Sequence, residues 1–309
     1  MRIEVRDLKR HFGKTKAVDG VSFGFSEGQI FGFVGPNGAG KTTTLRIMAT
    51  LDEPTAGEVY LDGVAVTQEP EAARRLVGFV PDSLPEHKDI TVHEYLDFFA
   101  RAYGLRGKRR LEMVESLEEF TRLMGFRYKP LNALSKGMKQ RVSLARSLVH
   151  DPSVLVMDEP AAGLDPRARI ELRELLKALA GQGKAILISS HILTELSEIV
   201  DGAVIIESGK ILRAGTMDEI VESDADRRVM LIRPREKPEA LCRDLLLHPN
   251  VSACRLLGEE VEAEVEGTAD DCCELLVTII GNGYRILEFR QRRAHLEDVF
   301  MRVTKGEVS

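Results

Sequence analysis

Gln29-Ile30-Phe31-Gly32-Phe33-Val34-Gly35-Pro36-Asn37-Gly38-Ala39-Gly40-Lys41-Thr42-Thr43 decides the fold. An apolar run of strand length enters a glycine-rich turn, and the turn opens an apolar-periodic segment over Lys41–Thr50. Strand, loop and helix follow one another as the pattern G-x-x-x-x-G-K-[ST] requires, here from Gly35 to Thr42. Glycines let the backbone of Gly35-Pro36-Asn37-Gly38-Ala39-Gly40 curl so that its successive N–H groups, which Pro36 lacks, face a polyphosphate, and the helix start adds a positive end. Lys41 would reach the outer phosphates, the Thr42 hydroxyl would ligate Mg²⁺, and Thr43 continues the loop into the helix.

Further along, Val154-Leu155-Val156-Met157 is a continuous apolar strand that ends in Asp158-Glu159-Pro160. Ligands of parallel sheets gather at the carboxyl ends of the strands, where these two acids emerge. Asp158 is suited to hold Mg²⁺, and Glu159 to accept a proton from water attacking a terminal phosphate.

Around these motifs the pattern alternates. Short strands are expected at Ile3–Leu8, Ala17–Phe25, Gln29–Val34 and Gly57–Gly63, and a helical stretch at Val92–Leu131. Helix, strand, helix, strand, helix and strand then follow at Ser135–His150, Val154–Met157, Pro166–Ala180, Ala185–Ser189, Leu193–Val200 and Gly202–Ser208. Such alternation implies a largely parallel, buried sheet. Past Gly215 the texture changes, and the charged stretch Asp218–Arg228 reads as a hinge. The expected domains are 1–217, with a helical subdomain at about 89–133, and 218–309. In the second, strands at Val229–Arg233, Val251–Leu257, Val261–Val265 and Tyr284–Arg290 interleave with helices at Glu239–Leu247 and Asp270–Gly281, and a last helix runs over Leu296–Val303. The order β-α-β-β-α-β is that of a ferredoxin-like unit.

Composition narrows the function. Of 309 residues 43% are hydrophobic and 30% charged, which is globular usage, and the formal net charge is −6, which disfavours binding to duplex nucleic acid. No run reaches the ~18 apolar residues that span a bilayer, and the first residues lack a secretory core, so a cytoplasmic location is expected. The four cysteines, Cys242, Cys254, Cys272 and Cys273, have no metal-site spacing and read as reduced core thiols.

Leu134-Ser135-Lys136-Gly137-Met138-Lys139-Gln140-Arg141, ahead of the acid pair, resembles the signature loop of the ATP-binding cassette (ABC) transporter ATPases. Ala162-Gly163-Leu164-Asp165 resembles their D-loop and His191 their switch histidine, while Phe12 falls where the family stacks an aromatic on adenine. The match spans roughly residues 1–217 in order and spacing. The segment ending Leu296-Glu297-Asp298-Val299-Phe300 is similar to the tail of the drug- and antibiotic-exporter branch typified by daunorubicin pumps. The resemblance implies an α/β fold: a P-loop NTPase core of ABC type with an antiparallel β subdomain and a helical insertion, followed by the small α+β domain.

The resemblance further implies ATP and Mg²⁺ as ligands, Glu159 and His191 as catalytic residues, and Asp165 in the D-loop. Ser135, Lys136, Gly137 and Met138 would form the signature acting in trans, with Ser135 and Gly137 contacting the γ-phosphate held by a facing subunit, although Ser135 also suits the N-cap of its own helix. Because one chain carries one phosphate loop and one signature, a homodimer in the ATP-bound state is implied. A separate multi-helix membrane permease would carry the cargo and hold the chain at the inner face of the membrane. Its dock would lie between the Asp82 loop and the Val92–Leu131 helices, and the C-terminal domain would clamp or regulate the dimer.

Two departures stand out. Asp82 occupies the position where the family has its Q-loop glutamine, so a carboxylate able to bind Mg²⁺ or orient water brings negative charge toward phosphate. Lys136 and Met138 replace the usual Gly and Gln of the signature; the lysine could meet phosphate or simply face solvent. Beside the exporter ATPase stand two other readings, an ABC ATPase acting on nucleic acid or ribosomes and a weakly hydrolysing regulator, and no nucleic-acid partner is expected for this acidic chain.

Overall fold

A computed structural model describes residues 2–84, 89–191, 199–222, 227–292 and 300. The chain divides between Met217 and Asp218 into two compact units. In the first, β1 (Arg2–Phe12) and β2 (Thr15–Ser26) form a long hairpin that joins β4 (Ala56–Leu61) and β5 (Val64–Ala65) in an antiparallel sheet of order β2-β1-β4-β5. Bulges displace the β1 register at Leu8 and His11, and the hairpin runs well past the expected Ile3–Leu8.

The second sheet has the order β10-β9-β3-β8-β7-β6. Its strands are β3 (Ile30–Val34), β6 (Val77–Val80), β7 (Val154–Met157), β8 (Ala185–Ser190), β9 (Gly202–Glu207) and β10 (Lys210–Thr216). The first five are mutually parallel, and β10 closes the edge antiparallel to β9. Every residue of β3, β7, β8 and β9 is buried, as strands covered on both faces demand. The helices α1 (Lys41–Met48), α2 (Pro70–Leu76), α5 (Lys136–Leu148) and α6 (Pro166–Gly181) belong to this unit, and its core joins both sheets through Phe23, Phe33, Leu45, Leu61, Val156 and Leu187.

The helical insertion expected over Val92–Leu131 is two helices, α3 (Val92–Ala102) and α4 (Gly107–Phe120), followed by single 3₁₀ turns. Thr91 and Glu94 form a reciprocal capping box that starts α3. Gly104 and Gly107, both at positive φ, break the helix between α3 and α4.

Two expectations are corrected. The charged stretch Asp218–Arg228 is no plain hinge: a helix, α7, covers Met217–Glu222 with Asp218 and Glu219 in its first turn, and β11 begins at Arg227. Acids in a first turn complement the helix dipole, so their charge marks a helix start. The cysteines are all free, but only Cys242 and Cys272 are buried; Cys254 is half-buried and Cys273 exposed. The strand β10 was not foreseen. The expected helices at Leu193–Val200 and Leu296–Val303 lie almost wholly outside the described residues.

In the second unit β11 (Arg227–Pro234), α8 (Pro238–Leu245), β12 (Val251–Leu257), β13 (Glu260–Glu266), α9 (Ala269–Gly281) and β14 (Ile286–Gln291) follow in the β-α-β-β-α-β order. All strand pairs are antiparallel and the sheet order is β12-β13-β11-β14, as a split β-α-β unit requires. Its own core contains Met230, Ile232, Leu241, Leu245, Val261, Val265, Leu275 and Ile279.

The backbone of β6 touches α5 so closely that a Cβ on Gly78 would lie 2.6 Å from the Ser147 carbonyl oxygen. Gly78→Ala is expected to destabilise the protein by about 1–3 kcal/mol in urea unfolding, as overpacking does. Gly181→Ala, where a Cβ meets nothing within 4 Å, should be neutral or stabilising by up to ~1 kcal/mol.

Candidate functional site

The parallel sheet brings the phosphate loop and the acid pair to one edge. Val34 pairs with Ser190 and Met157 pairs with Ile188, while Val80 pairs with Met157. The chain leaves these strands at Gly35, Asp158, His191 and Pro81, so four loops emerge side by side at the carboxyl ends.

The phosphate loop is held by close backbone approach. A Cβ on Gly35 would lie 2.2 Å from the Ile206 carbonyl oxygen, and one on Gly40 would lie 2.3 Å from that of Ala17. Gly40 also has φ 100° and caps α1, a conformation closed to other residues. Lys41 is 6% exposed and donates to the carbonyls of Gly35 at 2.7 Å and Pro36 at 3.2 Å. Burial depresses its pKa below the ordinary lysine value, with the neighbouring Glu159 and Asp158 carboxylates opposing. Pro36 is half-buried, Asn37, Gly38 and Thr42 are exposed, Ala39 is buried, and Thr43 is half-buried.

Glu159 is the hub. One carboxylate oxygen lies 3.6 Å from the Lys41 Nζ and the other 2.8 Å from the His191 Nδ1. Asp158 is buried, and its Oδ1 accepts a 2.7 Å bond from the Ser189 hydroxyl. The same hydroxyl accepts the Glu159 N–H at 2.9 Å. Glu159 has φ 47°, in the left-handed region that an L-residue ahead of proline rarely takes, at a cost of about 1–3 kcal/mol. Sequence reasoning missed Ser189, since a lone serine inside an apolar strand carries no motif.

For Mg²⁺ the fit is one of donor chemistry. Thr42 presents a hydroxyl at the head of α1 and Asp158 a carboxylate at the end of β7, both hard oxygen donors. Among the described residues no group of three or more His, Cys, Asp and Glu could hold a metal unaided. Magnesium, which takes one or two protein oxygens and completes its shell with phosphate and water, needs none.

The other expected residues stand apart from this cluster. Phe12 is 49% exposed at the tip of the β1–β2 hairpin, with the Arg10 guanidinium over its ring at 4.6 Å, so it is no core residue. Asp82 is exposed just past β6. Ser135 is exposed and caps α5, accepting from the Met138 N–H at 3.3 Å. Gly137 lets α5 approach α6: a Cβ there would lie 3.0 Å from the Ala168 Cβ. The Lys136 ammonium lies over the Gly163 backbone, 3.0 Å from where a Cβ would stand, and Asp165 caps α6 by accepting from the Ala168 N–H at 2.9 Å. Signature and D-loop thus form one packed surface.

A sequence profile described as ABC transporter matches residues 18–162. The chain is 37% identical over 99% of its length to the Nod factor export ATP-binding protein I of Ralstonia nicotianae, covering 94% of that protein. It is 36% identical, over 99% of its length and 98% of the relative, to the protein of the same name from Burkholderia orbicola. A solved ATP-binding subunit of an ABC transporter superposes with TM-score 0.66 and 31% identity over 73% of this chain and 94% of that one. A dimeric ATP-binding cassette in a post-hydrolysis state with ADP and Pi superposes with TM-score 0.63 and 26% identity over 70% and 98%.

The Asp165 cap has a measurable weight. Asp165→Ala should cost about 1 kcal/mol in denaturant unfolding, and Asp165→Asn, which keeps an acceptor, should recover most of it.

Proposed function

Because the chain belongs to the ABC transporter ATP-binding family, we propose that it is the energising subunit of an exporter, coupling ATP-driven dimerisation to transport by a separate membrane permease. The observation that carries this reading is the placement of Glu159 between Lys41 and His191. Family membership makes the chain an ATP-binding protein, and the exporter direction is supported by relatives named for Nod factor export.

In this reading the phosphate-loop amides and Lys41 bind the triphosphate, Phe12 stacks on adenine, and Thr42 and Asp158 hold Mg²⁺. The metal, when bound, neutralises charge on the outer phosphates. Glu159 takes a proton from the attacking water, and His191, hydrogen-bonded to it, orients the γ-phosphate. Lys41 needs its positive charge here, and the adjacent carboxylates keep it from losing more of that charge to burial.

Ser135, Lys136, Gly137 and Met138 complete the site of a second copy, with Asp165 on the same surface. Hydrolysis then parts the two copies, and the parting is the mechanical step. No helix among the described residues is long and apolar enough to cross a membrane, so the reading gives translocation to a multi-helix permease and places the chain at the cytoplasmic face of the membrane. The second unit, whose residues supply none of this chemistry, clamps the dimer or regulates it.

Two substitutions test the reading. Glu159→Gln should lower steady-state ATP turnover by at least ~10²-fold while ATP affinity is retained; an unchanged rate contradicts the catalytic assignment. Asp82→Gln, at an exposed position, should leave ATP affinity within about threefold and alter only the rate or its Mg²⁺ dependence.

A further inference from the structure

The mechanism above uses both acids of the pair and leaves one buried group beside them without a role. Ser189 is 0% exposed, and its backbone sits in the β8 ladder opposite Phe33 of β3, two residues before the phosphate loop begins. Its position is therefore set by the rigid centre of the sheet. The parallel ladder between β7 and β8 ends at Met157 and Ile188, and beyond it the chain turns away. Asp158 still finds a strand partner, donating its N–H to the Val80 carbonyl at 2.8 Å. The Glu159 N–H goes instead to the Ser189 Oγ at 2.9 Å.

That bond fixes the direction of the hydroxyl proton. Having accepted from Glu159, the oxygen donates to the Asp158 Oδ1 at 2.7 Å, so one side chain ties together two consecutive acids of different function. It does so where the backbone is least willing to stay, at the positive φ of Glu159 ahead of Pro160. Without an anchor on its N–H, this residue would relax toward the extended conformations normal before proline, and its carboxylate would swing away from Lys41 and His191.

We propose that Ser189 is a positioning residue for ATP hydrolysis: its hydroxyl holds the Glu159 backbone in the left-handed turn that aims the carboxylate between Lys41 and His191. The proposal rests on the reading of Glu159 as the hydrolytic base. Ser189, buried in β8, acts through Glu159, so its removal is expected to lower turnover with little effect on nucleotide affinity.

The test uses the full chain, with MgATP turnover, binding of a fluorescent ATP analogue and thermal unfolding measured on Ser189→Ala, Ser189→Cys, Ser189→Thr, Glu159→Gln and the Ser189→Ala/Glu159→Gln pair. Ser189→Ala and the near-isosteric Ser189→Cys should lower kcat about ten- to a hundredfold with KM for ATP within about threefold, and Ser189→Thr, which keeps the hydroxyl, should restore much of the rate. In the Glu159→Gln background the added loss from Ser189→Ala should be under about twofold, because a positioning group has nothing left to position. A kcat within twofold of wild type in both the Ala and Cys variants, a loss confined to KM, or an equal loss in both backgrounds overturns the proposal. The two failures are distinguishable: a wild-type rate in Glu159→Gln overturns the base reading, whereas a wild-type rate in Ser189→Ala beside an inactive Glu159→Gln overturns the Ser189 proposal alone.

Discussion

The contact on which the rest of the molecule depends is the carboxylate of Glu159 held 3.6 Å from one cation and 2.8 Å from an imidazole. Three different strands supply those groups, and only a parallel sheet delivers all three loops to one edge. Burial of β3, β7 and β8 on both faces makes that edge rigid, and Gly35 and Gly40 of the phosphate loop let its backbone sit against Ile206 and Ala17. Most of the first unit's architecture can be understood as the support this constellation needs.

The site could be read from sequence where the chemistry is local. Gly35 to Thr42 is a contiguous pattern whose glycines, lysine and threonine each have a separate physical reason, and Asp158-Glu159 follows an unmistakable buried strand. The signature and the D-loop were likewise legible as motifs, but not their contact through Gly137 and Ala168, which arises only when two helices meet. Ser189 was invisible for a related reason: its importance lies in two hydrogen bonds to a neighbouring strand, and nothing in Ile186-Leu187-Ile188-Ser189 announces them. Past Gly215 the charged stretch Asp218–Arg228 reads as a hinge, yet Asp218 and Glu219 are the acidic first turn of α7. The second unit fared better, because the apolar–acidic alternation of Val261–Val265 and the apolar-rich run Asp270–Gly281 read as strand and helix in the β-α-β-β-α-β order that its antiparallel sheet realises.

On the proposed reading a single chain holds only part of what hydrolysis needs. Its phosphate loop is complete, but Ser135, exposed at the head of α5, spends its hydrogen bond on its own helix, and in that reading the surface made by Lys136, Gly163 and Asp165 faces the site of the second copy. The same N-cap geometry that starts a helix also presents its N–H groups to an anion, so a second copy can use α5 without any rearrangement of the fold. On the proposed reading such an ATPase is off until two chains meet, the property a transport engine requires.

The most direct test of that division is complementation between two inactive chains. Mixing Lys41→Ala protein with Ser135→Arg protein leaves each mixed dimer one site with an intact phosphate loop from one chain and an intact signature from the other. The account predicts that ATP hydrolysis, absent from either variant alone, reappears on mixing. A mixture as inactive as its components, with both proteins folded and able to associate, would contradict it.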